Sequence, residues 1–256
     1  MINLNKKIVA FDLDGTLAES KRPITHDMAL LIEALAKEKV VVIISGGTFK
    51  QFNTQFLPAF KKEGFSEDFV RNLILLPTSG SQRYEYDLYK QDWKITDIEL
   101  FSEKIKEKAK KVLNDIIESG LYDIPKDPTG DYIEDRITQL SISALGQEAP
   151  IEQKKLWDPD QKKRQKIKLV LDRELPETSI IIGGTTTLDI LPKGFDKAKG
   201  LKRLLAKMNL VIDDMVFVGD AIFPGGNDYS AYQAGIESLR VTGPNETAQI
   251  IKKWLS

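Results

Sequence analysis

The 256-residue sequence contains no cysteine and a single histidine, His26. The first absence excludes disulfides, thiolate metal sites and cysteine nucleophiles, and it fits a reducing cytoplasm, where we expect the protein to be located. The single histidine leaves one candidate for any histidine base. Because His26 falls in the first turn of a predicted helix, we expect no catalytic role for it.

Long hydrophobic runs and a surplus of charge are missing as well. The longest apolar stretches, such as residues 40–44, are far shorter than the roughly 20 residues that span a membrane. The apolar run that follows two lysines near the start ends at Asp12, so we expect no signal peptide. The 37 basic and 38 acidic side chains nearly cancel, which gives no electrostatic reason to expect nucleic acid, and a hydrophobic share of 41% argues against disorder.

Both ends of the chain contain short apolar strands that alternate with helices. Near-continuous apolar strands of this kind predict a parallel sheet that is covered by helices on both faces. The predicted strands are residues 7–11, 40–44, 73–76, 215–218 and 238–241. The predicted helices follow Thr25, which can cap the first of them, and cover residues 48–60, 197–208, 229–234 and the last residues to Trp254.

The middle of the chain follows a different pattern, in which long charged helices accompany half-exposed strands. The helices are predicted over residues 99–119 and 162–174, and the strands over residues 133–145, 180–182 and 186–191. This pattern is typical of an α+β layer. We therefore predict an α/β core with a Rossmann-like doubly wound parallel sheet, formed by residues 1–84 and 190–256, and an inserted α+β domain formed by residues 85–189.

Two carboxylates follow the first predicted strand directly. Asp12 and Asp14 come at its carboxyl end, where open α/β sheets bind ligands, and Gly15 permits a sharp turn above them. Alternation along the chain directs both side chains similarly, so they repel each other unless one holds a proton or a cation lies between them. A divalent metal ion removes that repulsion and also neutralises phosphate.

Further oxygen donors follow another strand near the end of the chain. Residues 215–218 lead to Asp220, and a glycine-rich turn then brings Asn227 and Asp228. Beside Asp12 and Asp14, this set of hard oxygen ligands predicts a magnesium site.

Ser45, Gly46 and Gly47 end the second predicted strand. Their hydroxyl and backbone groups are suited to donate hydrogen bonds to a phosphate, although the triplet alone is typical of an ordinary turn. Lys197 opens a helix and is a candidate to neutralise phosphate and to stabilise the nucleophile.

Taken in order, these four segments resemble the landmarks of the haloacid dehalogenase (HAD) superfamily of phosphatases and phosphomutases. The insertion lies between the second and third landmarks and is similar in length and layout to the C2b caps of subfamily IIB. The resemblance implies that Asp12 attacks phosphorus and forms an aspartyl-phosphate, and that Asp14 is the acid and then the base. It also implies that Ser45 and Lys197 stabilise the transferring group and that Mg²⁺ is the cofactor.

A closer resemblance is to the eukaryotic-type phosphomannomutase branch and its bacterial hydrolase-like relatives. Its segments here are residues 134–136, 183–184, 188–189, 192–197 and 223–228. In the mutases, cap arginines hold the distal phosphate of a sugar bisphosphate, and Arg136 matches the first of them. Gln147 and Lys154 stand where two further arginines are expected, and glutamine cannot replace a bidentate guanidinium contact. The candidates for substrate contact are Arg136, Thr187 and Asp189, together with Arg22 after the first loop.

These features predict a Mg²⁺-dependent phosphatase that acts on a small phosphorylated metabolite, a sugar phosphate in our interpretation, with no nucleic-acid or membrane partner. A phosphomutase that uses the same aspartyl-phosphate is the alternative. A non-catalytic binding protein on this scaffold is expected to lack Asp12, Asp14 or Asp220, and all three are present. We expect a monomer or a homodimer formed through the caps.

Overall fold

The computed structural model describes residues 5–60 and 65–256. The expectation that the chain has no signal peptide falls partly on residues 1–4, which lie outside the described residues. The strands are β1 (Ile8–Asp12), β2 (Val40–Ile44), β3 (Leu73–Leu76), β4 (Gln82–Asp87), β5 (Asp92–Ile98), β6 (Ile133–Asp135), β7 (Leu140–Ser143), β8 (Thr178–Gly183), β9 (Thr187–Pro192), β10 (Met215–Gly219) and β11 (Glu237–Arg240). The α-helices are α1 (His26–Ala36), α2 (Phe49–Gln51), α3 (Glu67–Arg71), α4 (Glu103–Glu118), α5 (Ile151–Trp157), α6 (Lys162–Glu174), α7 (Lys197–Lys207), α8 (Tyr229–Gln233) and α9 (Pro244–Trp254).

The chain divides into two compact units. The larger unit is Met1–Ile98 with Lys197–Ser256, and the smaller unit is Glu99–Asp196. The sequence pattern places these boundaries earlier, after residue 84 and after residue 189. The first differs because the β4–β5 hairpin, whose outer strand has a polar, half-exposed sequence, extends the sheet of the larger unit. The second differs because β9 pairs within the sheet of the smaller unit.

The larger unit is built on a seven-stranded sheet in the order β11-β10-β1-β2-β3-β4-β5. Strands β11 to β3 are parallel, whereas β4 and β5 continue the sheet as antiparallel edge strands. Strand β1 is buried along its whole length, with Val9 and Phe11 packed in one apolar cluster and Ile8 and Ala10 in another. The first cluster includes residues of α1 and α9, and the second includes residues of α7 and α8. The predicted doubly wound α/β fold is therefore confirmed.

Two local elements of the larger unit bear on the site. Thr25 caps α1 as expected, because its hydroxyl accepts a hydrogen bond from the Met28 backbone N–H at 3.2 Å. The single helix predicted over residues 48–60 is instead three short pieces, in which α2 is followed by a π-helical turn, Phe52–Phe56, and a 3₁₀ turn, Leu57–Phe60. A π-helical turn has no hydrophobic period of its own, so the sequence pattern does not distinguish it from an α-helix.

The smaller unit has an antiparallel four-stranded sheet in the order β6-β7-β9-β8. Residues of α4 and α6 form an apolar cluster with one face of this sheet. The strand predicted over residues 133–145 is wrong in its continuity, because it is the hairpin β6–β7. Its turn contains Ile137 at φ 69° and a hydrogen bond from the Thr138 N–H to the Arg136 carbonyl. Apolar alternation persists through this tight turn and therefore conceals it.

Within the described ranges, no helix is both long enough and apolar enough to cross a membrane.

Candidate active site

Three carboxylates meet at the carboxyl ends of β1 and β10 in the larger unit. Oxygen atoms of Asp12, Asp220 and Asp228 lie within 4.8 Å of one another. Asp12 ends β1, and Asp220 follows β10, which pairs with β1 in parallel. Gly15 permits this approach, because a Cβ atom at that position would lie 2.5 Å from Asp220 Oδ2 and its φ of +83° disfavours other residues.

Lys197, the first residue of α7, lies among these carboxylates. Its ammonium donates to Asp12 Oδ1 at 2.5 Å and to Asp228 Oδ1 at 2.6 Å. The lysine side chain is 1% exposed, and Asp228 is fully buried. Burial alone would lower the pKa of Lys197, but the charges and hydrogen bonds of the two aspartates raise it above its ordinary value. Lys197 is therefore a fixed positive charge.

One ammonium does not neutralise three carboxylates. Burial raises the pKa of Asp12 well above its ordinary value, and the lowering effect of Lys197 is smaller. Burial and the neighbouring Asp228 also raise the pKa of Asp220. Three buried or half-buried oxygen donors with excess negative charge suit a hard divalent cation, so this donor set fits the metal site expected from the sequence. Asn227 is half-buried in the turn just before Asp228.

The carboxylate of Asp14 has different partners from that of Asp12. It accepts hydrogen bonds from Gln51 Nε2 at 2.6 Å, from Gln55 Nε2 at 3.2 Å and from the Lys21 backbone N–H at 2.8 Å. Alternation along the chain had placed both carboxylates together as metal ligands. The alternation stops because β1 ends at Asp12 and the chain turns at Gly15, so the Asp14 side chain lies outside the three-carboxylate cluster.

The partners of Asp14 also determine its charge. Burial alone would raise the pKa of Asp14, but the Lys21 charge and the hydrogen bonds from Lys21, Gln55 and Gln51 together lower it below its ordinary value. The surroundings of Asp14 therefore favour its ionised form.

Ser45 follows β2 and is 3% exposed. Its hydroxyl accepts a hydrogen bond from the Gly47 N–H at 3.1 Å and donates to Gln51 Oε1 at 3.2 Å. Ile44, just before Ser45, pairs with Asp12 in the register of β1 and β2. The Ser45–Gly46–Gly47 turn therefore lies at the same edge of the sheet as Asp12.

Sequence reasoning missed Gln51, Gln55 and Lys21. The four-residue spacing of the two glutamines was a usable signal, because residues at that spacing face the same side of a helix.

Arg22, which was predicted to contact substrate, is exposed, and its backbone carbonyl accepts a hydrogen bond from Gln55 Nε2. His26 is exposed at the start of α1.

The smaller unit brings its predicted residues to one face of its sheet. Arg136 pairs with Glu134 at 2.7 Å, and its Nη1 lies 3.7 Å from Asp189 Oδ1. Thr187 and Asp189 are two residues apart on β9 and so point to the same side. This face offers one guanidinium and several acceptors for a polar molecule.

Gln147 and Lys154 have structural contacts in the smaller unit. The Gln147 amide donates to the Tyr132 and Ser141 carbonyls at 3.2 and 3.3 Å. Lys154 Nζ donates to the Gln147 carbonyl at 2.9 Å. The amide of Gln147 therefore links backbone segments of the smaller unit.

Solved structures with a similar fold include hydrolases. The IMP-bound, N-terminally truncated IMP-nucleotidase of Plasmodium falciparum is 15% identical with a TM-score of 0.70, over 98% of this chain and 68% of that chain. A haloacid dehalogenase-like hydrolase from Bacteroides thetaiotaomicron is 15% identical with a TM-score of 0.58, over 97% of this chain and 99% of that chain. At this identity, these similarities establish the fold alone.

Curated relatives resemble the chain over nearly its whole length. A phosphomannomutase of Encephalitozoon cuniculi is 27% identical over 98% of this chain and 94% of its own length. Phosphomannomutase 2 of Dictyostelium discoideum is 27% identical over 96% of each chain. A phosphomannomutase of Dendrobium officinale is 28% identical over 96% of this chain and 92% of its own length.

These names correct one expectation. The sequence pattern favoured a phosphatase because Gln147 replaces an expected arginine, whereas the full-length relatives are named as mutases. The expectation of a phosphatase is therefore wrong, and the mutase alternative is better supported. The model of the eukaryotic phosphomannomutase family matches residues 29–256, and the chain belongs to that family.

Proposed function

We propose that the protein is a phosphomannomutase-type phosphohexomutase, which moves a phosphoryl group between two positions of a hexose phosphate. The observation that carries this proposal is the similarity to curated phosphomannomutases over almost the whole of both chains. The buried Asp12–Lys197 pair supports it, because it provides a carboxylate nucleophile beside a fixed positive charge.

In the first half of the reaction, a carboxylate oxygen of Asp12 attacks phosphorus of a hexose bisphosphate. The bond from phosphorus to the sugar oxygen breaks, its electron pair stays on that oxygen, and a proton from Asp14 neutralises it. Asp14 must hold this proton before the step, and the charge of a bound phosphate dianion favours the protonated form because it opposes the lowering effect of Lys21 and the two glutamines on the Asp14 pKa. The product is an aspartyl-phosphate and a hexose monophosphate.

In the second half, the hydroxyl at the other position of a hexose monophosphate attacks the phosphorus of the aspartyl-phosphate and forms a hexose bisphosphate. The bond between phosphorus and the Asp12 oxygen breaks, and the hydroxyl proton passes to the Asp14 carboxylate. Lys197 stabilises the Asp12 carboxylate that is released. The Ser45 hydroxyl and the backbone N–H groups of Gly46 and Gly47 donate hydrogen bonds to the phosphoryl oxygens.

We assign Mg²⁺ to the carboxylates of Asp12, Asp220 and Asp228, with Asn227 as an adjacent donor. When bound, the ion neutralises charge on the phosphoryl group as a Lewis acid. In the smaller unit, Arg136 is the candidate to hold an anionic group of the substrate, and Thr187 and Asp189 are the candidates to hold sugar hydroxyls.

The test is to incubate the protein with mannose 1-phosphate, magnesium and a hexose bisphosphate activator, and to measure mannose 6-phosphate and free phosphate together. We expect isomer formation to exceed phosphate release. The Asp12→Asn variant is the matched control, and we expect it to fold and to form no isomer. Phosphate release without isomer, or isomer formation by Asp12→Asn, would contradict the proposal.

A further inference from the structure

Gln51 connects two groups of the site that lie on different parts of the chain. Its Nε2 lies 2.6 Å from Asp14 Oδ2, and its Oε1 lies 3.2 Å from Ser45 Oγ. We infer that Gln51 is a positioning residue, which holds the Asp14 carboxylate for proton transfer and couples it to the phosphate-binding hydroxyl of Ser45. This inference rests on the proposed function.

Before substrate arrives, when Asp14 is ionised, the chemistry of the three groups fixes the direction of every hydrogen bond. An ionised carboxylate only accepts, so the amide nitrogen of Gln51 must face Asp14. The amide oxygen then faces Ser45 and can only accept, so the Ser45 hydroxyl must donate to it. The remaining lone pair of the hydroxyl accepts from the Gly47 N–H. The chain of donors therefore runs from Gly47 through Ser45 and Gln51 to Asp14.

The backbone leaves room for this arrangement at Gly47. A Cβ atom at that position would lie 1.5 Å from Gln51 Oε1, so any other residue would displace the amide. Gln51 ends α2, and the π-helical turn Phe52–Phe56 begins directly after it. Gln55, in that turn, donates to the other oxygen of Asp14 at 3.2 Å and to the Arg22 carbonyl at 3.1 Å. The two glutamines thus hold the two carboxylate oxygens separately.

The arrangement has a consequence for catalysis. The Ser45 hydroxyl donates its hydrogen bond to Gln51 Oε1. When this hydroxyl donates to a phosphoryl oxygen instead, Gln51 Oε1 loses its donor. The Gln51 amide then keeps only its bond to Asp14. Phosphate binding at Ser45 therefore changes the hydrogen bonding of Gln51, which holds Asp14. Gln51 itself transfers no proton, and it acts through Asp14.

The experiment compares Gln51→Met and Gln51→Glu with wild type in the isomerase assay. Methionine keeps the length and volume of glutamine without a donor, and glutamate replaces the donor with a charge. We expect both variants to lower kcat by about tenfold to a hundredfold, since general acid–base catalysis contributes about 10²–10⁴, and to leave KM within about threefold. Asn53→Ala, at an exposed position two residues away, is the control and is expected to match wild type.

The possible results distinguish a positioning role of Gln51 from a role in packing and from a role in substrate binding. Wild-type kcat in Gln51→Met would show that only volume matters and would overturn the inference. An unchanged kcat with a raised KM would overturn it too, because it would place Gln51 on the substrate. If the wild type forms no isomer, the proposed function fails.

A second measurement does not depend on activity. Urea unfolding is compared for Gln51→Met in the wild-type and Asp14→Ala backgrounds, as a double-mutant cycle. We expect the shift in the urea midpoint caused by Gln51→Met to differ between the two backgrounds, because the hydrogen bond exists only when Asp14 is present. Additive shifts would overturn the assignment of Gln51 to Asp14, whatever the substrate of the enzyme.

Discussion

Lys197 Nζ lies 2.5 Å from Asp12 Oδ1, and both side chains are almost completely buried. A buried charge that loses its partner is strongly unfavourable, so removal of either side chain is expected to destabilise the fold. Lys197 also holds Asp228, so one ammonium restrains carboxylates from two different segments.

Lys197→Met is expected to destabilise the fold by about 3–5 kcal/mol, the usual result of breaking a buried ion pair. Three carboxylates then face one another with no ammonium among them. Urea unfolding measures the loss, and magnesium is expected to restore part of it. Lys202→Met, an exposed position on the same helix, is the control and is expected to have little effect. Equal stability of the two variants would contradict the prediction.

Magnesium is expected to raise the unfolding midpoint of the wild-type protein, because an ion that binds only the folded state stabilises it by about 2.7 kcal/mol at a hundred times its Kd. Asp220→Asn removes one of the three carboxylates and should abolish most of this shift. Asp213→Asn, an exposed acid before β10, is the control. Thermal unfolding with and without magnesium gives the result, and an undiminished shift in Asp220→Asn would place the ion elsewhere.

Gly15→Ala is expected to weaken magnesium binding without unfolding the larger unit. The new Cβ atom would displace the Asp220 carboxylate, and the left-handed backbone at φ +83° adds about 1–2 kcal/mol of strain. Gly194→Ala shares the left-handed backbone, at φ +70°, but its Cβ atom meets nothing within 4 Å. Titration of magnesium, followed by thermal stability, should therefore distinguish the two variants. Equal magnesium affinity in both would show that displacement of Asp220 is unimportant.

Acid should destabilise the smaller unit through Asp158. Burial alone would raise the pKa of this carboxyl, but the hydrogen bonds from Arg164 and Lys163 lower it below its ordinary value. A group with a lowered folded pKa contributes its full stabilisation above the unfolded pKa of about 3.9 and loses it as the pH falls through the folded pKa. Stability is therefore expected to fall from about pH 4 downward.

Asp158→Asn tests this dependence by urea unfolding at neutral and at acidic pH. The variant leaves the buried Arg164 guanidinium without its charged partner, so we expect it to be less stable at neutral pH. The difference from wild type should shrink below about pH 4, where Asp158 takes up a proton in the wild type as well. A constant difference across the pH range would contradict the prediction.

The sequence predicts the positions that elementary sheet geometry controls. Asp12, Ser45 and Asp220 follow parallel strands, and such strands end at one edge of a sheet, so their proximity could be expected. The partners of Asp14 could not be derived in this way. They depend on a π-helical turn after Gln51 and on Lys21 at φ 60°, and neither has a pattern in the residues.

Gln147 shows a different limit of sequence reasoning. Its presence where an arginine is expected suggested hydrolysis, but in the structure its amide joins the Tyr132 and Ser141 carbonyls. Gln147 is therefore explained by local backbone contacts, and its presence does not indicate which reaction the protein catalyses. The first predicted boundary between the two units also lies earlier than in the structure, because the β4–β5 hairpin resembles the polar strands of the insertion.

Strand β1 lies between β2 and β10 in the sheet, and the ribosome synthesises β2 long before β10. When β2 has emerged, the other edge of β1 still has open backbone donors and acceptors, and it stays so until residues 215–219 are synthesised. A growing chain therefore carries an exposed, apolar strand edge through translation of the entire insertion, which is the situation in which incomplete chains associate. Full-length synthesis closes that edge and, in the same event, brings Asp220 to Asp12.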